Sequence, residues 1–119
     1  VQYMMMIFEP ASEFAKRENA AIAPEYWGAW SAYSQALAEA GVMVGGNGLQ
    51  PPPTATTLRL RNGAREVQDG PFADTKEQLG GYYVIDVPDL DSALAWAARC
   101  PSAAVSAIEV RPVLAMQNA

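Results

Sequence analysis

The hydrophobic pattern of this chain changes period several times, and the order of those changes constrains the fold more than any other feature. Residues 2–8 form a compact apolar run closed by Glu9-Pro10, which suits a buried strand. Residues 11–23 are mixed, with one loose helical turn around Phe14. Pro24 then opens a helix, because proline tolerates a first helical position. Tyr26, Trp30, Tyr33, Leu37 and Ala40 follow at spacings of four, three, four and three, one apolar face of a helix. Gly41 ends that helix. Val42-Met43-Val44 reads as a short strand, and Gly45-Gly46-Asn47-Gly48 as a turn or bulge, or else as glycines that let the backbone approach a ligand.

Pro51-Pro52-Pro53 is a stiff connector. Residues 54–61 alternate Leu58 and Leu60 against Thr57, Arg59 and Arg61, the two-residue period of a half-exposed strand. Asn62-Gly63 is a strong hairpin signal, and residues 64–68 return as its partner. Residues 82–87 form a strand with Tyr83, Ile85 and Val87 on one face and Tyr82, Val84 and Asp86 on the other. Asp89 caps a second helix, expected to bury Leu90, Leu94, Ala97 and Ala98, and Pro101 stops it. Residues 105–113 make the last strand.

The order is strand, helix, strand, hairpin, strand, helix, strand. Without the hairpin it is βαββαβ, so the chain is expected to be one α+β domain over 1–119. The expected fold is ferredoxin-like, an antiparallel sheet with an inserted β-hairpin and both helices on one face. The opposite face carries Tyr82, Glu109 and Arg111, and the simplest cover for it is a second copy. A homodimer is therefore expected.

Composition narrows the chemistry. Half of the 119 residues are apolar, which supplies a core, yet no apolar run approaches the ~20 residues of a membrane span. The net charge of −5 without a Lys/Arg stripe argues against direct nucleic-acid binding. No membrane association and a cytoplasmic location are expected. Histidine is absent, which removes Ser-His-Asp and Cys-His catalysis and histidine metal sites. The single cysteine, Cys100, allows neither an intrachain disulfide nor a cysteine-rich zinc site, and it reads as a packing residue at a helix end. No cofactor and no metal are expected.

Several segments resemble one family: Tyr3-Met4-Met5-Met6-Ile7, Gly48-Leu49-Gln50-Pro51, Ala55-Thr56-Thr57-Leu58-Arg59, Asp69-Gly70-Pro71-Phe72, Thr75-Lys76-Glu77-Gln78-Leu79-Gly80-Gly81-Tyr82-Tyr83 and Glu109-Val110-Arg111-Pro112. They are similar to the YCII-related proteins of the DGPF-domain type over nearly the whole chain. The resemblance implies a ferredoxin-like fold and a dimeric α/β barrel, in a superfamily that includes small monooxygenases and lactone isomerases. A histidine–aspartate mechanism proposed for some relatives does not transfer to a chain without histidine. The resemblance also implies a link to sigma factors of the extracytoplasmic type.

The densest charge lies in the loop from Asp69 to Tyr83. Asp69-Gly70-Pro71 shapes a turn, or else Asp69 aims a carboxylate into a pocket. Glu77 is the remaining general-base candidate if burial raises its pKa. Asp69 and Glu77 are thus the candidate catalytic residues. Phe72 plugs the domain or its partner, or walls a ligand. Asp74-Thr75-Lys76-Glu77 reads as one helical turn, with Lys76 paired or holding an anion. Arg59 and Arg111 are structural, or form a fork for a carboxylate. Arg59, Phe72, Lys76, Tyr82 and Arg111 are the candidate ligand contacts. Tyr26, Trp27, Trp30 and Tyr33 read as helix core, or else Trp27, off the main stripe, lines a cleft. The favoured function is a small dimeric protein binding a small organic ligand. The alternatives are a non-catalytic regulatory module linked to sigma-factor-dependent transcription, and a cofactor-free isomerase or lyase-like enzyme.

Overall fold

A computed structural model of the chain describes residues 1–115. Its main sheet is built from β1 (Gln2–Pro10), β2 (Met43–Gly48), β5 (Glu77–Asp86) and β6 (Ala107–Pro112), in the order β2-β5-β1-β6 and antiparallel throughout. This is the ferredoxin-like order. The inserted hairpin, β3 (Thr56–Arg61) and β4 (Ala64–Asp69), forms a separate two-stranded sheet. The helices are α1 (Ala11–Lys16), α2 (Ala23–Glu39) and α3 (Leu90–Ala98). None among the described residues is long and apolar enough to cross a membrane.

The core lies between the helices and one sheet face. Strict alternation along β1 buries Tyr3, Met5, Ile7 and Glu9, and the same rule buries Tyr83 and Ile85 on β5, with Val87 just beyond it. Tyr33 and Leu37 of α2 and Ala93 and Ala97 of α3 pack against them. The α2 stripe is seen at Tyr26, Tyr33 and Leu37, with Trp30 half-buried and Ala40 exposed. Pro24 sits in the first turn of α2, and Gly41 adopts a φ of 71° past its end. Tyr33 donates its hydroxyl to the Trp96 carbonyl at 2.7 Å, tying α2 to α3 across the core. Asp89 caps α3 by accepting from the Ser92 amide at 2.8 Å.

Four local expectations are corrected. Gly45, Gly46 and Gly48 make no turn: they belong to β2, and of the turn-or-bulge reading only a shift of register between Met43 and Gly45 is present. Leu90 and Leu94 are exposed, and the buried positions of α3 are Ala93 and Ala97, whose short side chains let the helix lie close to the sheet. The stretch from Asp74 to Glu77 is not helical. There the Gln78 amide donates to the carbonyls of Ala73 and Thr75, and β5 already starts at Glu77, five residues before the expected 82. Finally, residues 11–16 form a short regular helix rather than a loose turn. Cys100 is buried at the end of α3, and burial pushes its thiol above the usual range, as befits a packing residue.

The glycines of β2 are not equivalent. A Cβ on Gly46 would stand 2.7 Å from the Tyr82 carbonyl oxygen and 2.8 Å from the Tyr83 ring, whereas one on Gly45 meets nothing within 4 Å. The first contact is with backbone hydrogen-bonded into a central strand, which cannot retreat. Gly46→Ala is therefore expected to destabilise the protein by about 1–3 kcal/mol and Gly45→Ala by far less, as urea unfolding of the two variants will measure.

Candidate functional site

The alternation that buries Tyr3, Met5 and Ile7 continues to Glu9, so β1 delivers a carboxylate to the core face of the sheet. Glu9 is 2% exposed. An ionised carboxylate in such a place needs partners, and two elements supply them. Tyr26, in the first turns of α2, donates its hydroxyl to Glu9, with Oε2 at 2.8 Å and Oε1 at 3.0 Å. Arg17, just past α1, donates from Nη2 to Oε1 at 3.3 Å. The guanidinium lies 4.8 Å from the Phe14 ring centroid and 5.0 Å from that of Trp27, so its faces are covered by aromatics.

Arg17 also reaches the backbone. Its Nη1 donates to the Leu49 carbonyl, and its Nη2 to the Gly80 carbonyl at 3.1 Å. Gly80 is the extra residue of a β-bulge: Ile7 stands opposite Gly81 and Phe8 opposite Leu79. The bulge turns the Gly80 carbonyl toward Arg17 and brings the backbone against Glu9. A Cβ at Gly80 would stand 2.6 Å from Glu9 Oε1 and 3.2 Å from Arg17 Nη2.

A cavity of about 240 Å³ opens over this cluster, between α2 and the β2–β5 edge of the sheet. Glu9, Arg17 and Tyr26 lie at one end. Trp27, Trp30 and Tyr83 provide aromatic surface, and Ser31 and Ser34 add hydroxyls. Gly46, Gly48, Gly80 and Gly81 leave one wall as bare backbone. Trp30 and Tyr83 are stacked at 6.3 Å with an interplanar angle of 21°, and Ser34 shares a 2.6 Å hydrogen bond with the Tyr83 hydroxyl. Burial is the main cause that raises the Glu9 pKa above its ordinary 4.5, and the Tyr26 hydrogen bond and Arg17 oppose it only in part. Burial likewise pushes the Tyr26 phenol up to about 12, further still from ionisation near neutral pH.

Of the seven residues singled out from the sequence, Tyr82 borders this cavity. Its side chain belongs to the open face of the sheet, where its hydroxyl accepts from Asn47 Nδ2 at 2.9 Å. Glu77 lies half-buried at the start of β5, opposite Pro10. Asp69 is at the end of β4, opposite Thr56, and Lys76 is exposed before β5. Arg59 covers the Phe72 ring at 4.8 Å, and both are exposed. Arg111 pairs with Glu109 at 2.8 Å on the open sheet face. Asp69 and Glu77 each show no neighbouring side chain in hydrogen-bond contact among the described residues.

Glu9, Arg17 and Tyr26 were missed by the sequence reading, though one signal was present. A glutamate in phase with Tyr3, Met5 and Ile7 on a period-two strand must point into the core. Trp27, read as helix core with a cleft role as the alternative, is exposed and lines the cavity.

Comparison with known proteins places this geometry in context. The YCII-related domain description matches residues 2–117. An uncharacterized protein of Rhizobium meliloti (strain 1021) is 44% identical over 85 residues, covering 70% of this chain and 68% of that protein. Among solved structures, the 5-chloro-2-hydroxyhydroquinone dehydrochlorinase of Burkholderia phenoliruptrix AC1100, in complex with 2,5-dihydroxybenzoquinone, superposes with a TM-score of 0.55. It is 14% identical, and the match covers 96% of this chain and 94% of that one. At that identity the likeness concerns the fold.

Because the native pKa of Glu9 is raised, the folded protein keeps a proton that the unfolded chain has lost once pH exceeds 4.5. Stability contributed by this group therefore falls as pH rises from 4.5 through the raised native value, and is level above it. Subtracting the urea-unfolding profile of Glu9→Gln from that of the parent is expected to isolate this downward slope. Glu9→Ala, which leaves the Arg17 charge buried and unpaired, is expected to cost about 3–5 kcal/mol.

Proposed function

This chain belongs to the YCII-related domain family, and from that membership and the cavity geometry we propose that it binds a small, single-ring organic ligand bearing at least one hydroxyl. The observation that carries this reading is the buried Glu9 carboxylate set beside aromatic walls. Glu9 Oε1 already accepts from Tyr26 and Arg17, while Oε2 accepts from Tyr26 alone and keeps a lone pair for a ligand hydroxyl. Trp27, Trp30 and Tyr83 supply ring surface for stacking. Glu9 and Arg17 offset one another's charge, which favours a neutral ring over an anion. A volume of about 240 Å³ suits one ring and its substituents.

A second reading follows from the raised Glu9 pKa. A carboxylate poised closer to neutrality is a better proton acceptor than an exposed one. Cofactor-free proton transfer on the bound ring would have Glu9 take a proton from the ligand and return it at another atom, with Tyr26 donating a hydrogen bond to the carboxylate. Binding without turnover would favour the alternative of a non-catalytic regulatory module linked to sigma-factor-dependent transcription. The charged loop with Asp69 and Glu77 remains the second proposed location for a ligand.

2,5-Dihydroxybenzoquinone, the compound bound by the dehydrochlorinase, is a suitable first probe, with hydroquinone and catechol beside it. Isothermal titration is expected to show saturable binding of at least one of the three. Glu9→Gln should weaken it about tenfold or more, the loss of one hydrogen bond to a charged acceptor. Asp69→Asn and Glu77→Gln should leave it within about twofold. The reverse pattern would move the ligand to the charged loop, and no binding of any of the three would defeat the assignment of the cavity.

A further inference from the structure

A second cavity, of about 330 Å³, opens between α1, the first turns of α2 and the segment 101–105 that joins α3 to β6. The residues Ile22, Glu25, Tyr26, Ala29 and Trp30 form its α2 wall, at the three- and four-residue spacings of one helix face. Tyr26 and Trp30 border the first cavity as well, so these two side chains are a shared partition. Glu9 and Arg17 do not line this second space, and its polar groups are different ones.

Three of its lining residues are buried: Glu13, Tyr26 and Ser102. Glu13 is 5% exposed. Its Oε1 accepts from Lys16 Nζ at 2.9 Å, and its Oε2 accepts no hydrogen bond among the described residues. Ser102 is 3% exposed, and its Oγ has no hydrogen-bond partner among the described residues. The turn that carries it is tight: the Ser102 carbonyl accepts from the amides of Val105 at 3.0 Å and Ser106 at 2.8 Å. Buried polar atoms without partners are costly and uncommon. Here a carboxylate and a serine that each keep such an oxygen line one cavity.

The charges are unequal too. Two carboxylates, Glu13 and Glu25, face one ammonium, that of Lys16. Exposed Ile22, Ala29 and Val105 add apolar surface at the mouth. We propose that this cavity binds a small primary amine as its ammonium ion, which donates to Glu13 Oε2 and Ser102 Oγ and lays its hydrocarbon body against Ile22, Ala29 and Val105. An ammonium carries three donors and no acceptor, which matches a carboxylate oxygen and a hydroxyl oxygen side by side. One positive charge also brings the lining to neutrality. An anion would meet two carboxylates, and a neutral alcohol would leave the charges unequal. A hard divalent cation needs more oxygen ligands than these, and among the described residues no three acidic, histidine or cysteine side chains gather to hold one. The Trp30 ring in the wall adds an aromatic surface, which favours a cation.

The test is a titration of the isotope-labelled full chain with butylammonium at neutral pH, followed by amide NMR. Saturable shifts are expected, concentrated in residues 13–16 and 101–105. Butanol and butyrate, of similar size, are expected to produce no saturable shift there. Glu13→Gln, which keeps the side-chain shape, should weaken binding about tenfold or more. Glu25→Gln lies at an exposed position where folding is not at risk, and should weaken it about threefold. Ser102→Ala should weaken it as well, whereas Ser106→Ala should not. Ser106 Oγ is equally without a partner among the described residues, but Ser106 does not line the cavity. The proposal is overturned if butylammonium gives no saturable shift, or if butanol matches it. It is also overturned if the affinity ignores both glutamate substitutions. Shifts confined to Trp27 and residues 46–48, which border the first cavity alone, would overturn it too.

Discussion

The site depends on a single arrangement: one carboxylate set on the core side of a sheet and held there by an arginine and a phenol. Glu9 occupies a position that the strand period reserves for an apolar residue. Everything around it follows from satisfying that charge. Arg17 must approach from the end of α1, Tyr26 from the start of α2, and Gly80 must lack a side chain so that the backbone clears the carboxylate. A buried ion pair of this kind is a poor source of net stability, since desolvation opposes the Coulomb attraction. Its presence in a domain otherwise packed with Tyr3, Met5, Leu37 and Ile85 fits a site better than a scaffold.

The same arginine links the site to the shape of the molecule. Arg17 hydrogen-bonds the carbonyls of Leu49 and Gly80, between which the chain departs into the β3–β4 arm and returns. The residues that hold the buried carboxylate thus also hold the base of the arm. The open sheet face, the arm and the cavity are three consequences of one topology: a four-stranded sheet with helices on one side only and an insertion between the second and third strands of its motif.

Where sequence patterns were dominated by one clear period, they were accurate. The Tyr26–Tyr33–Leu37 stripe, the Tyr83–Ile85–Val87 face, the Asp89 cap and the Asn62-Gly63 turn are all present in the structure. They depend on local geometry, which a few residues specify. The clearest misreading came from glycine. Gly45, Gly46 and Gly48 look like a turn, but they stay in β2, where Gly46 lies too close to the backbone of Tyr82 for a side chain to fit. Glu9 carries a different kind of signal, a lone carboxylate in phase with the buried positions of a strand.

The sequence by itself determined the order of strands and helices, the α+β class and the faces that turn inward, because periodicity and capping act over a few residues. Only the tertiary structure decided that Glu9, Arg17 and Tyr26 meet, that a bulge at Gly80 makes room for them, and that the Asp69 and Glu77 carboxylates lie outside the cavity. Those facts depend on how β1, α1, α2 and β5 pack in space. Distances between elements far apart in the chain are fixed by close packing of the whole core, and no local pattern encodes them.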